Sequence, residues 1–394
     1  MNFSYLDNSA TTPVCPAAYE KMKTVLEGTF GNPSSLHLMG MEAEKIVNDA
    51  REKLFNAFGA KKYGKTKPQM LIFTASGTEA NNLALIGAAT AKERRRGGKI
   101  IVGETEHPSV IETAKYLSAI GFKVAFIPCP RGVWDMEKYR AELSSDTILV
   151  SAMLVNNETG AVNDIASIAS LAKAKNPDVL IHCDAVQGFL KIPEPLASVP
   201  ADLISVSSHK IGGPKGVGAL FIREKVITTK SLVPVIHGGG QESGMRSGTE
   251  NTAGIAGFGA AAEFEYKNLS ASLVRFKELR ALLEQLISKE LPDVRVNTPV
   301  GKYVPHIISL TLPDIRSETM LHFLSRKGVF VSSGSACASN TGHKSHVLLS
   351  YGMTEKEVDS TIRVSLGVQN TEEDIHNLVN ALAQGISSLS RKTK

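Results

Sequence analysis

Apolar residues follow two alternating rhythms along this chain. Short continuous runs at residues 70–74, 100–103, 124–127, 148–154, 179–184, 203–206 and 217–222 have the length and composition of strands. Between several of them, at 79–91, 109–120 and 165–175, apolar positions recur at helical spacing. An earlier stretch, 42–58, places Ile46, Val47, Ala50, Leu54, Phe55 and Phe58 on one helical face. Strands that are apolar throughout and separated by helices predict an α/β architecture. Its sheet would be mostly parallel, seven-stranded and covered by helices on both faces. Ligands of such sheets bind beyond the carboxyl ends of the strands.

The polar groups of this region fall at those ends: Gly77-Thr78-Glu79, Glu106-His107, Asn156-Asn157-Glu158, Asp184 to Gln187, and His209-Lys210. After the glycine-rich residues 237–251 the rhythm changes. A long helical pattern at 260–291 leads into a smaller α+β domain with two weaker strand patterns, 307–312 and 329–332. A closing helix starts at Thr371, whose hydroxyl can cap it with Asp374 three residues on.

The chemistry concentrates where Asp202-Leu203-Ile204-Ser205-Val206 runs into Ser207, Ser208, His209, Lys210 and a glycine-rich turn. A lysine at the end of a buried strand is desolvated, which favours its neutral amine. That amine can add to an aldehyde or ketone, and Ser207, Ser208 and His209 could hold an anion beside it. An ordinary surface lysine is the competing reading. Ser76-Gly77-Thr78 follows a strand and opens a helix, where free N–H groups and the helix dipole attract phosphate; a plain helix cap uses the same residues. His107 offers a flat ring to stack on an aromatic ligand, unless it is a satisfied half-buried histidine. Asp184 ends an apolar approach and needs a partner, which a protonated pyridine nitrogen would supply; a structural buried carboxylate is the alternative. Gln187 could donate to a phenolic oxygen. Taken together, Asp184, Lys210 and the two anion sites are what a pyridoxal phosphate site requires, and jointly they outweigh the bland readings.

Cys337 lies among small residues, 332–342, that read as a mobile loop. It is a candidate nucleophile, with His343 and His346 near enough in sequence to favour the thiolate. Cys15, Cys129 and Cys183 sit beside proline or inside apolar runs and read as inert. Arg363 could grip a substrate carboxylate bidentately, against a surface salt bridge.

Composition narrows the class. The 394 residues are enough for two or more domains, and 42% hydrophobic with 21% charged residues describes a soluble globular enzyme. The net charge of +5 is 44 basic minus 39 acidic residues, and the basic clusters at 61–67 and 94–96 are too sparse to argue for nucleic acid. No CxxC pair occurs, so neither a disulfide framework nor a metal site is expected. Neither a leader pattern nor a run long enough for a membrane is visible, so a cytoplasmic location is expected.

In combination these residues resemble the cysteine desulfurases of the nitrogen-fixation and iron–sulfur group, fold-type I pyridoxal phosphate proteins of aminotransferase class V. The resemblance runs nearly end to end, through Leu6-Asp7-Asn8-Ser9-Ala10-Thr11-Thr12, Gly31-Asn32-Pro33-Ser34-Ser35-Leu36-His37 and Phe73-Thr74-Ala75-Ser76-Gly77-Thr78-Glu79. It continues through Thr105-Glu106-His107, Val155-Asn156-Asn157-Glu158-Thr159-Gly160 and Asp184-Ala185-Val186-Gln187. Ser208-His209-Lys210, Arg246-Ser247-Gly248-Thr249 and Ser333-Gly334-Ser335-Ala336-Cys337 complete it.

The resemblance implies a large cofactor-binding domain at 15–262 and a small domain of 1–14 with 263–394. Lys210 would hold the cofactor covalently, His107 would stack on its ring, Asp184 would hold the ring nitrogen and Gln187 the phenolic oxygen. Gly77, Thr78, Ser207 and His209 would bind phosphate, with Thr249 arriving from the other subunit of a homodimer. Asn157, also close to the cofactor, and Arg363 would hold the substrate carboxylate. L-cysteine would become L-alanine, its sulfur passing to Cys337 as a persulfide for an acceptor such as an iron–sulfur scaffold. Cys337 could contact a nascent iron–sulfur cluster during that transfer. Two departures, a longer 61–68 and no proline before Ser345, bear on the acceptor. A selenocysteine lyase or small-amino-acid aminotransferase would share Lys210 and Asp184, and Cys337 discriminates against the aminotransferase. A binding protein that merely kept the fold would need none of Lys210, Asp184, His107 and Cys337.

Overall fold

The computed structural model describes residues 3–60, 69–92, 97–334 and 344–389. Cys337, His343 and the basic stretches at 61–68 and 94–96 lie outside the described residues. In chain order come β1 (Ser4–Tyr5), α1 (Pro16–Gly28), α2 (Leu38–Phe58), β2 (Gln69–Thr74), α3 (Gly77–Thr90), β3 (Lys99–Gly103), α4 (Pro108–Ala119) and β4 (Lys123–Ile127). Next are α5 (Met136–Glu142), β5 (Thr147–Ser151), α6 (Ile165–Lys175), β6 (Leu180–Asp184), β7 (Leu203–Ser207), β8 (Gly218–Arg223) and α7 (Glu224–Thr228). The last third holds α8 (Thr252–Glu290), β9 (Arg295–Val296), β10 (Ile307–Thr311), α9 (Ser317–Arg326), β11 (Val329–Phe330), α10 (His346–Ser350), α11 (Glu355–Asp359), β12 (Thr361–Ser365) and α12 (Glu372–Leu389).

The seven expected strands form one sheet in the order β2-β8-β7-β6-β5-β3-β4. β8 alone runs antiparallel to its neighbours β2 and β7. Strands β5, β6 and β7 are buried at every position, which is why their sequences are continuous apolar runs rather than alternating ones. Leu180 and Leu203 pack toward α3 and α4, whereas Ile181, Cys183, Ile204 and Val206 pack toward α2, α6 and α8. By the same two-residue alternation Asp184 and Ser207 project on the α3 side. Phe58 of α2 is wedged against Phe189 and Phe221, with ring centroids 4.8 and 5.0 Å away. Such aromatic pairs add about 1 kcal/mol to their burial. The run expected at 148–154 stops as a strand at Ser151. Beyond it Asn156 Oδ1 collects the N–H groups of Glu158 and Thr159, each at 2.9 Å, and folds the chain into a turn.

Helix α8 is 39 residues long and begins at Thr252, eight residues before the periodicity reveals it. Its first turns, Gly254–Ala262, are buried all round and so carry no amphipathic stripe. The expected division after residue 262 falls inside this helix. Its N-terminal part joins the core beneath the large sheet, and Phe276, Leu279, Leu283 and Leu286 join a second core with Leu6, β10, β12, α9 and α12. In that second region β10 lies between β9 and β12. Only Val329–Phe330 of the expected 329–332 strand is regular, paired in parallel with β1, while Ser332 bridges Arg363. At the start of α12 the expected cap is turned round: Asp374 accepts from the Thr371 N–H at 2.9 Å and from its hydroxyl at 3.4 Å.

The N-terminal strap links the two regions. Leu6 is buried in the second core, and the Thr12 N–H then donates to His209 O at 3.0 Å, just past the end of β7.

Candidate active site

β7 ends at Ser207 and tightens into a single 3-10 turn, Ser208–Lys210. This aims the Lys210 amine at the strap, where it donates to Ser9 O at 2.5 Å and Ala10 O at 2.7 Å. Burial, joined by the positive charges of Arg363 and Lys191, pulls this amine down to about 7. A large share is therefore the neutral nucleophile at neutral pH. His209 Nδ1 lies 3.1 Å from Thr11 Oγ1, and burial with the charges of Lys210, Lys215 and Lys191 lowers the ring to about 4.

Asp184, the last residue of β6, accepts from Asn81 Nδ2 at 2.7 Å on Oδ2 and from the Val186 N–H at 3.0 Å on Oδ1. Asn81 also donates to Ser109 Oγ at 2.9 Å, and Ser109 Oγ lies 2.8 Å from His107 Nδ1. The same Nδ1 accepts the Ser109 N–H at 3.1 Å, so His107 caps α4 and a neutral ring carries its proton on Nε2. Burial lowers the pKa of His107 against the opposing pull of Asp184. Below it Glu106 is fully buried; burial first and Asp184 second raise its carboxyl well above the usual range.

Helix α3 begins hard against this floor. A Cβ at Gly77 would stand 2.9 Å from Val186 Cγ2 and 3.3 Å from Ser207 Cβ, so only glycine lets the helix start approach Ser207. Ser76 Oγ accepts the Glu79 N–H at 3.1 Å, leaving the N–H groups of Gly77 and Thr78 without helical partners beside the Ser207 side chain. Thr78 is exposed on a cleft with Val235, Ile236 and Arg246. Thr249 stands apart, lining a cavity with Ala75, Gly216, Glu242 and Arg246 that none of Gly77, Ser207 and His209 of the same chain enters.

Arg363, in the middle of β12, is 2% exposed, which replaces the surface-salt-bridge reading with a buried one. Its Nη2 pairs with Asp7 Oδ1 at 2.7 Å, its Nη1 donates to Asn157 O at 3.1 Å, and its Nε is buried without a partner among the described residues. Gln187 Nε2 donates to Ser9 O at 2.9 Å, the carbonyl that also holds Lys210. Its Oε1 is buried without a hydrogen-bond partner among the described residues. Asn157 Oδ1 and Ser208 Oγ are likewise buried and unpaired. Each such atom costs about 1–3 kcal/mol. Gathered around one lysine, together with unused helix N–H groups, they fit a polar, phosphorylated ring better than an empty fold requires.

Sequence reasoning missed Ser9 and Ala10, which act through backbone carbonyls and leave no residue-type signature. It missed Asp7 as the partner of Arg363, although the motif containing it was visible. Asn81 and Ser109 were hidden within helical patterns; a polar residue on the buried face of α3 was the available signal. Of the histidines expected beside Cys337, His346 has Nε2 hydrogen-bonded to Glu106 O at 2.9 Å. Burial raises the thiols of Cys15, Cys129 (to about 12) and Cys183, which suits inert roles. No group of three or more possible metal ligands occurs among the described residues.

Comparison with known proteins places the chain in a family. The family Aminotransferase class-V matches residues 4–378. The chain is 39% identical to the cysteine desulfurase IscS of Dictyoglomus turgidum over 386 residues, 98% of this chain and 95% of that one. It is also 39% identical to IscS of Klebsiella pneumoniae over 389 residues, covering 98% and 93%. Among solved structures, a NifS-like protein superposes with a TM-score of 0.89 at 36% identity, covering 98% of this chain and 100% of the other. SspA in complex with cysteine gives 0.77 at 32% identity, covering 92% and 98%. The chain belongs to the aminotransferase class V family, among its cysteine desulfurases.

Proposed function

We propose that the chain binds pyridoxal 5'-phosphate, on which its family depends, and converts L-cysteine to L-alanine while Cys337 receives the sulfur as a persulfide. The observation that carries this reading is the buried Lys210 amine at the end of β7, lowered to about 7, with the Asp184 carboxylate at the end of the neighbouring strand. When bound, the cofactor supplies an electron sink for the substrate's α-carbon.

The residues supply the rest. Lys210 Nζ would hold the cofactor at its aldehyde carbon, and its amine, lowered to about 7, would take and return a proton at the substrate's α-carbon. Asp184, fixed by Asn81 and Val186, would accept a hydrogen bond from the protonated ring nitrogen, and His107 would stack on the ring. Gly77, Thr78, Ser207 and His209 bind phosphate, and Gln187 faces the phenolic oxygen. Arg363 and Asn157 grip the substrate carboxylate. The Cys337 thiolate attacks the substrate's sulfur: an S–S bond forms and the C–S bond breaks. That bond's electron pair stays on carbon, where a proton completes alanine. Cysteine plus enzyme thiol thus becomes alanine plus enzyme persulfide, with no outside oxidant or reductant.

The same reading includes a homodimer in which Thr249 of each copy completes the other's phosphate site; its position away from its own chain's cradle supports this. It also includes a cytoplasmic protein whose persulfide serves an acceptor such as an iron–sulfur scaffold. The test is a visible spectrum of the purified protein, then L-cysteine with alanine and the Cys337 persulfide assayed. A yellow protein whose band shifts with cysteine and yields both products is expected. A yellow protein yielding neither favours a transaminase, and a protein that takes up no pyridoxal phosphate overturns the cofactor reading.

A further inference from the structure

Glu158 takes no part in the chemistry above, yet it is 1% exposed and three segments converge on it. We propose that Glu158 is a positioning residue for sulfur transfer, its carboxylate anchoring Ser345, which follows the segment that carries Cys337, beside Gly334, which precedes it. This inference rests on the desulfurase reading.

The Ser345 hydroxyl donates to Glu158 Oε2 at 2.6 Å and accepts the Leu348 N–H at 3.2 Å, so its orientation is set from both sides. On the other root, a Cβ at Gly334 would stand 3.0 Å from the same Oε2, and the φ of +45° is one that glycine adopts most easily. The oxygen that holds Ser345 therefore also lies close against Gly334, where any side chain would crowd it. Glu158 is in turn tied to the substrate arginine. Its N–H donates to Asn156 Oδ1 at 2.9 Å, and the carbonyl of the adjacent Asn157 accepts from Arg363. The Arg363 backbone pairs with Ser332, two residues before Gly334. The Ser345 root of the cysteine segment is thus linked to the carboxylate grip through Glu158 and Asn157. An apolar side chain would fill the same space without the desolvation that raises this carboxyl's pKa. Its retention suits a defined contact better than packing alone.

The test compares Glu158→Ala, Glu158→Gln, Ser345→Ala and the double Glu158→Ala/Ser345→Ala variant with the parent holoenzyme. Cysteine-induced absorbance change reports substrate binding, and mass spectrometry of a single turnover reports persulfide on Cys337. Amide hydrogen exchange at 345–348, without cofactor or substrate, reports the root itself. Glu158→Ala and Ser345→Ala are expected to slow persulfide formation about tenfold, the size of one buried hydrogen bond, with half-saturation by cysteine unchanged. Glu158→Gln, whose amide oxygen still accepts from Ser345, restores the rate, and the double variant is no slower than Glu158→Ala. Exchange rises in the same variants that lose rate. Parent-like rates in both alanine variants, or parallel loss of cysteine binding and persulfide, would overturn the clamp. A parent protein that forms no persulfide instead removes the desulfurase reading on which the inference stands.

Discussion

The side of the site made by the ends of β6 and β7 and the side made by the strap, Asn157 and β12 meet at Lys210, and they are built differently. On the strand side, Asp184 and Ser207 are placed by two-residue alternation in fully buried strands, and Asn81, Ser109 and His107 form one short chain of hydrogen bonds behind them. Every member is within a contiguous βαβ region. On the strap side, Asp7 meets Arg363 across most of the sequence, and the groups offered to Lys210 are backbone carbonyls. The first side gathers one carboxylate and neutral rings, suited to a cationic ring nitrogen. The second gathers a buried guanidinium, suited to a carboxylate. In the proposed function Lys210 stands where covalent attachment on one side is exchanged for substrate on the other.

Breaking that junction has the largest expected effect. Lys210→Met should reduce alanine formation to background and abolish the covalent absorbance band, both readable in one spectrophotometric assay. Stability should move oppositely. In the unfolded chain the amine keeps its proton to about pH 10, whereas in the folded chain it releases it near 7. The unfolded state thus holds more protons between pH 7 and 10, so stability of the cofactor-free protein rises with pH across that window and bears the full penalty below it. Removing the amine should therefore raise the cofactor-free unfolding free energy at pH 7 by a few kcal/mol in urea titrations. A destabilised Lys210→Met protein would show that the strap carbonyls more than offset the burial.

Arg363→Ala separates the two sides. Loss of a charge-assisted pair with the substrate should lower kcat/KM for L-cysteine about a hundredfold while leaving cofactor uptake intact. Arg363→Lys should recover little, because a point charge cannot reproduce the fork. Equal loss of cofactor uptake would merge the two sides into one. Asn81→Ala probes the other side: Asp184 Oδ2 loses its donor and the link to His107 is cut. Cofactor affinity is expected to fall about tenfold in a fluorescence titration, with KM for cysteine in the loaded enzyme unchanged.

The difference between the sides also explains what could be read from the sequence. Strand ends were legible because a buried strand is largely apolar until it stops, so Asp184, His107 and Lys210 stood out in the polar stretches that close their runs. α6 was legible to the residue for a similar reason, having one buried face and one wet one. The strap was not. β1 has two residues and borrows its regularity from Val329–Phe330, and carbonyls are common to all residues. β12 was missed as a strand because Thr361, Arg363 and Ser365 interrupt its apolar character, though all five positions are buried. Polar residues inside a buried strand break the pattern that would have announced it. Here one of them, Arg363, is also the proposed grip on the substrate carboxylate.

The smallest expected effect lies where the sides touch, at His209 Nδ1 and Thr11 Oγ1. Burial holds this ring at about 4, while an unfolded histidine titrates near 6.5. Between those values the unfolded chain binds the extra proton, so stability declines as pH falls through that window. By pH 5.5 the share of a single such histidine is on the order of 1 kcal/mol. His182, lowered to about 4 between Ser151 and Ser205, adds a like share from the strand side alone. His209→Gln should therefore lose less unfolding free energy than the parent between pH 7 and 5.5, by about 1 kcal/mol, while retaining the part due to His182. If the variant declines as steeply as the parent, His209 is not held neutral by the fold. The acid sensitivity then belongs to the strand side and stops short of its junction with the strap.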